Sequence, residues 1–425
     1  MSIRILNKDY TYKLANLNRG VLSMEYKKRN TYDITSDAYS SIKSKLKTFR
    51  IQLKSKICFL GFDGYIDSLY TLVKSRKDSK EYIKMDKMST FGNIVKQAAG
   101  SATNIERILK KRTSGGFAPN TAKAMQSLGI KINLVAAVGY PEVKKQFLPF
   151  KELGGVDLVN FSNPGETLGL EFDDGKVLLP DFANIMNIDW DLLMDRVGLD
   201  NIISMITNSD LMGFGHWASL PYFNNIWTKM IDWILPSIDN LENKLFFVDL
   251  ADLKKRKSND IEKMLEILRQ INDLVPVVLS LNDQEAMDIC KLLDKVDIFK
   301  NDIPNHLDLS EGGRAINSEL NLSYLVIHTP HFATISLRSG DHCYIRQGFT
   351  SKPKYTIGAG EYFNAGISSA LCCGLDPAEA LLIGNGITGI FIRTGQAPTF
   401  DQLIQFLKYY MEYIDHDISE FPHNF

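Results

Sequence analysis

Alternation constrains this 425-residue chain most. Short apolar runs at residues 57–60, 132–138, 211–214, 245–249, 275–280 and 324–328 read as buried strands. Helical patterns fall between and around them, at 88–99, 121–128, 222–235, 259–272 and 283–293, and residues 360–413 read as several helices. Strand and helix in repeated alternation lead to a mostly parallel sheet with helices on both faces, an α/β doubly wound fold. Residues 157–180 differ: short alternating segments surround Asp173-Asp174-Gly175, which is hairpin chemistry. Residues 1–54 are polar and rich in Lys and Arg, with one helix expected over 36–54, begun at Ser36 or Asp37. They read as an extension ahead of a core at 55–415, with 416–425 as a tail.

Composition narrows the function classes. Apolar content of 44% and charged content of 23% are those of a soluble globular protein. A net charge of −1 gives no general pull toward nucleic acid or an anionic membrane, so neither is expected as a partner. The basic run Lys254-Lys255-Arg256-Lys257 reads as a solvated loop. No apolar run approaches the ~20 residues of a membrane span, and residues 1–14 lack the apolar stretch of a secretory signal. The five cysteines form no CxxC pair and are odd in number. They read as buried reduced thiols, which points to the cytoplasm.

One stretch carries chemistry by itself: Thr356-Ile357-Gly358-Ala359-Gly360-Glu361, followed by an apolar run of helical character. Glycines let backbone amides converge on an anion, and a helix N-terminus adds its positive end. A carboxylate beside such an anion hole suits proton removal from an attacking hydroxyl. Other polar residues fall just after strands, where ligands sit in open α/β sheets. Asp63 and Asp67 follow the first strand, and Asn282 and Glu285 follow residues 277–281.

Four segments, in order, resemble the ribokinase-like carbohydrate kinases, the group often called PfkB. The first is Gly61-Phe62-Asp63-Gly64-Tyr65-Ile66-Asp67. The second, Gly115-Gly116-x-x-x-Asn120-x-Ala122, is similar to the family's GGxxxNxA signature. The third is the NxxE element Asn282-Asp283-Gln284-Glu285, and the fourth is the glycine turn. The resemblance spans roughly residues 55–400 and implies a ribokinase-like sheet with a small β lid, built from about 68–112 and 157–180. It implies phosphoryl transfer from ATP, with Mg2+, to a hydroxyl of a sugar or nucleoside. Asp67, with Asp63 second, would hold sugar hydroxyls together with Gly115, Gly116 and Asn120. Glu361 would be the catalytic base, and Gly358, Ala359 and Gly360 would form the anion hole. Asn282, Glu285, Thr356, Asn385 and Gly389 would lie on the nucleotide side, with Glu285 reaching magnesium through water. A homodimer formed through the lid is a further implication.

The chain also departs from the family pattern. Where the family reads DTxGAGD, this chain has Tyr355 for the first Asp and Glu361 for the last. Tyr355 cannot supply a carboxylate to a monovalent cation. Glu361 leaves two readings open: an active kinase whose base has a longer arm, or a sugar- or nucleoside-binding protein that has lost transfer. Pro330 replaces a family glycine, and the surrounding His328-Thr329 pair is similar to ADP-dependent sugar kinases, so ADP stays open as donor. His328 and His331 read as structural.

Overall fold

The computed structural model describes residues 31–295, 298–299 and 305–418. The strands are β1 (Ile57–Phe62), β2 (Tyr65–Arg76), β3 (Tyr82–Lys84), β4 (Arg107–Gly115), β5 (Lys131–Ala136), β6 (Val156–Asn160), β7 (Gly165–Phe172), β8 (Gly175–Asp181), β9 (Leu211–Phe214), β10 (Leu245–Asp249), β11 (Val277–Asn282), β12 (Tyr324–His328), β13 (Phe332–Leu337) and β14 (His342–Arg346). The helices that shape the site are α1 (Thr31–Ser55), α2 (Met88–Gln97), α3 (Phe117–Ser127), α4 (Ser258–Asn272), α5 (Asp283–Leu292), α6 (His306–Leu320), α7 (Ala359–Cys372), α8 (Pro377–Thr394) and α9 (Phe400–Glu412).

Among the described residues, the main sheet has nine strands in the order β14-β13-β12-β11-β10-β9-β1-β5-β6. From β12 to β6 every neighbouring pair is parallel, and β13 and β14 close one edge as antiparallel strands. Alternation along β1 shows why both faces need cover. Cys58 and Leu60 point into a core built with α1, α3, α7, α8 and α9. Phe59 points the other way, into a core that includes α4, α5 and α6, and Phe62, after the cis Gly61-Phe62 peptide, joins that core out of the alternation. The chain starts this sheet in its interior, third from one edge, runs outward through β5 and β6, and returns to β9 on the other side of β1. That reversal opens a crevice at the carboxyl ends of the strands, the usual ligand position in such sheets.

A second sheet stands over this crevice. It orders β3-β2-β7-β8, with β4 also on β2. The β7–β8 hairpin turns at Asp173-Asp174, and Gly175 follows at φ 153. Its own core is small: Leu72, Met85, Leu170 and Phe172, covered by Phe91 and Ile94 of α2.

Residues 31–54 depart from a polar extension ahead of the core; residues 1–30 lie outside the described residues. Helix α1 buries Ile34, Ala38, Ile42, Phe49 and Leu53. The spacing of these residues draws one apolar stripe along a helix whose average composition is polar. Lys45 meets Glu379 at 2.7 Å and Arg50 meets Asp401 at 2.9 Å, so part of the basic surface is used against α8 and α9. No helix among the described residues is long and apolar enough to cross a membrane. All five cysteines are free, and Cys58, Cys290, Cys343 and Cys373 are buried. Phe49→Ala should lower unfolding free energy by about 3–5 kcal/mol in urea denaturation, as a core aromatic does. Ile51→Ala, on the exposed face of the same helix, should change it by no more than about 0.5 kcal/mol. Equal effects would mean that α1 is not packed as described.

Candidate active site

Asp63 directly follows β1 and has no exposed surface. Its two oxygens accept the amides of Phe117 and Ala118, each at 2.8 Å, and so cap the start of α3. His216 Nδ1 lies 2.7 Å from the same carboxylate. Asp63 therefore does not face the crevice as a second sugar-gripping acid. Its acceptor capacity goes into holding the scaffold.

Asp67 is on β2, in the second sheet. It pairs across the strands with Thr113 and Thr167, and the Thr167 side chain bonds its carboxylate. Burial raises its pKa, and the charge of Glu361 raises it further against the Thr167 bond. Asp67 and Glu361 therefore share one crevice closely enough for their charges to interact.

The glycine pair has a structural logic that the sequence pattern conceals. A Cβ on Gly115 would collide with the Asp67 carboxylate. One on Gly116, at φ 102, would lie 2.9 Å from Asp63 Oδ2. Each glycine thus seats one of the two acids. Asn120 is four residues into α3 rather than its cap, because the helix begins at Phe117. Its amide bonds Glu361.

Glu361 lies in the first turn of α7, behind Gly358 at φ 94. The amides of Ala359, Gly360 and Glu361 occupy first-turn positions that have no acceptor within the helix. Ala359 N–H reaches only back to Thr356 O, at 3.3 Å. Thr356 itself is exposed. Glu361 Oε1 lies 3.6 Å from His216 Nε2, an ion-pair distance longer than a hydrogen bond. Burial alone would raise the Glu361 pKa, but contacts with His216, its own amide and Asn120 hold it below the usual value. Burial likewise opposes charge on His216, yet Asp63 and Glu361 together push its pKa well up. Both shifts favour a carboxylate at 361 beside an imidazolium at 216.

Deeper along the strand ends stand two more acids. Asp249 ends β10 and accepts Asn364 Nδ2 at 2.8 Å and the amide of His216. Burial and the charge of Glu361 push its pKa up to about 6 against the pull of His216. Glu285 forms a reciprocal cap with Asn282, each accepting the other's amide, at 2.9 and 2.8 Å. Burial and then the Asp249 charge raise its pKa well above the ordinary value. A cation nearby would relieve the charge that Asp249 sets against Glu285. One acid acting through water suits magnesium, which keeps most of its hydration shell. His328, at the end of β12, packs tilted against Phe363 with ring centroids 4.7 Å apart, and burial lowers its pKa to about 4.

Two nucleotide-side candidates fall elsewhere. Asn385 is fully buried and donates to Arg346 O at 3.0 Å. A Cβ on Gly389 would meet the Phe406 ring at 2.6 Å. The small residues of α8 serve tight packing against α7 and α9, as where Gly366 and Gly384 meet. Sequence reasoning missed His216 and Asp249. Both stand at the carboxyl ends of strands read at the right place, so the strand-end rule could have found them.

A family model for prokaryotic ketohexokinase matches residues 33–410. That span covers both sheets and every residue of the crevice. The chain belongs to the prokaryotic ketohexokinase family. A ketohexokinase of Haloferax volcanii is 29% identical over 357 residues, covering 84% of this chain and 92% of that protein. Solved structures share the fold at low identity. Arabidopsis thaliana ribokinase complexed with ribose and ATP aligns with TM-score 0.57 and 14% identity, over 83% of this chain and 98% of that one. A point mutant of Escherichia coli phosphofructokinase-2 gives 0.53 and 13%, over 84% and 99%. The chain is a PfkB-type, ribokinase-like sugar kinase, a phosphotransferase whose acceptor is a sugar hydroxyl.

The two acids after β1 should separate cleanly on substitution. Asp63→Ala should cost about 3–5 kcal/mol of stability, because it strips a buried charge network of its centre. Asp67→Ala should change stability by less than about 1 kcal/mol and raise the sugar KM more than about tenfold. Thermal denaturation beside steady-state kinetics reads both. Similar stability losses would contradict the division of roles.

Proposed function

We propose that this protein transfers the γ-phosphoryl group of ATP to a hydroxymethyl oxygen of a ketohexose. One observation supports the reading: Glu361, beside the first-turn amides that follow the glycine turn, is near enough to Asp67 on the second sheet for their charges to interact. Asp67 is apt for a pair of vicinal hydroxyls, since a carboxylate accepts from both. The sugar O–H proton passes to Glu361, the sugar oxygen bonds to phosphorus, and the bond from phosphorus to ADP breaks. The amide of Gly360, joined by those of Ala359 and Glu361 as they exchange their present partners, would stabilise the transferring oxygens. Magnesium, reached by Glu285 through water, would neutralise donor phosphates. The matched family and the Haloferax volcanii relative support a ketohexose as acceptor.

The second sheet, over the crevice, acts in this reading as a lid that excludes water during transfer. Its exposed Leu109, Leu178 and Leu179 support pairing of two lids in a homodimer. Free thiols and the use of ATP support a cytoplasmic setting.

A panel of D-fructose, other ketohexoses, aldoses and nucleosides, each with ATP or ADP and Mg2+, tests the assignment by phosphate-ester formation. The expected result is a ketohexose phosphate with ATP, and a kcat lower by about 1000-fold or more in Glu361→Gln. Sugar binding without transfer, unchanged by Glu361→Gln, would contradict it.

A further inference from the structure

We infer that His216 is the positioning residue for Glu361, and that the longer carboxylate at 361 is matched to it. The inference rests on reading Glu361 as the proton acceptor. It explains why this chain carries Glu where related kinases are expected to carry Asp.

The imidazole is fixed from several sides. Nδ1 is held by Asp63 at 2.7 Å, and Asp63 is itself held by two amides of α3. The edge of the Tyr65 ring packs against it, with centroids 5.6 Å apart and planes at 72°. Its backbone is left-handed, at φ 57, and its amide is bonded to Asp249. The preceding Gly215 has no room for a Cβ, because the Phe117 ring lies on it. Nε2 therefore sits at a fixed point 3.6 Å from Glu361 Oε1.

Glu361 starts from an equally fixed Cα in the first turn of α7. Removing one methylene withdraws the carboxylate by roughly 1.5 Å, the length of a C–C bond. The Nε2 contact is then lost, and the head group swings free of its line to the glycine-turn amides. A displacement near 1 Å at a reacting group costs on the order of 100-fold in rate. The other groups facing the pair are Asp63, Asp67 on β2, Asp249 on β10, Glu285 on α5, His328 on β12, Tyr362 on α7 and the neutral amide of Asn120. Among these residues only His216 puts a cation against Glu361.

A double-substitution cycle tests the pairing on the full chain with D-fructose, ATP and Mg2+. His216→Asn is the informative variant. Asn tolerates a left-handed backbone, and its amide takes the place of Nδ1 beside Asp63 but has nothing at Nε2. Glu361→Asp should lower kcat about 30- to 100-fold in the wild-type background and less than about threefold beside His216→Asn. The sugar KM should move less than about threefold throughout, because Asp67 grips the sugar. His216→Gln, whose amide reaches the Nε2 position, should recover part of the kcat lost in His216→Asn.

Urea unfolding of the same four proteins reads the contact without turnover, and the two midpoint shifts should fail to add. If wild-type protein makes no phosphate ester, the functional reading fails while unfolding still decides the pairing. Additive unfolding shifts would overturn the pairing. So would an equal Glu361→Asp factor in both backgrounds, since His216 would then only support the fold.

Discussion

Asp63 is a fully buried carboxylate met by donors on both oxygens, and the crevice is built outward from it. It joins the end of β1 to the first two amides of α3 and to the imidazole that follows β9. One turn along α3, Asn120 reaches Glu361, and Glu361 reaches back to His216. The contacts close a ring through four separate parts of the chain. In a ring of this kind no member moves without straining the next, which is the condition for holding a reacting group to a fraction of an ångström. Gly116 belongs to the same arrangement, because any side chain there would displace the Asp63 carboxylate.

Around this ring the acids are pushed apart in character. Glu361 has a cation and an amide against it and stays an acceptor. Asp249 and Glu285 repel one another, and burial makes both resist ionisation. Asp67 lies between, raised by burial and by Glu361. A crevice so rich in carboxylates repels a polyphosphate unless positive charge accompanies it. His216 is spent on Asp63 and Glu361. In the proposed reaction the deeper acids, Asp249 and Glu285, would be the place for the magnesium that accompanies the donor.

The strand and helix alternation was legible because parallel strands buried on both faces are continuous apolar runs. Residues 211–214, 245–249 and 324–328 are strands with those bounds. Helix α1 was hidden by averaging: Ile34, Ala38, Ile42, Phe49 and Leu53 form a stripe within a basic, polar segment. Helix α6 and strands β13 and β14 had no distinct signal either. At the site, motif spacing located Asp67, Asn120, Glu285 and the glycine turn. It put Asp67 ahead of Asp63 but kept both as sugar-binding candidates, since the use of Asp63 as a cap depends on where α3 begins. It could not locate His216, whose role comes from a left-handed backbone and from partners 153 and 145 positions away in sequence. The glycines of α8 looked like a route to a nucleotide base and are instead the flat side of a helix interface.

If the crevice works as described, Asp67 and Glu361 act on the same sugar molecule. A crystal structure with D-fructose and a non-hydrolysable ATP analogue measures this directly. It should show vicinal hydroxyls on Asp67 and a hydroxymethyl oxygen within about 3 Å of Glu361, in line with the terminal phosphate. A sugar bound with Glu361 facing only protein, or seated outside the crevice between the two sheets, would contradict it.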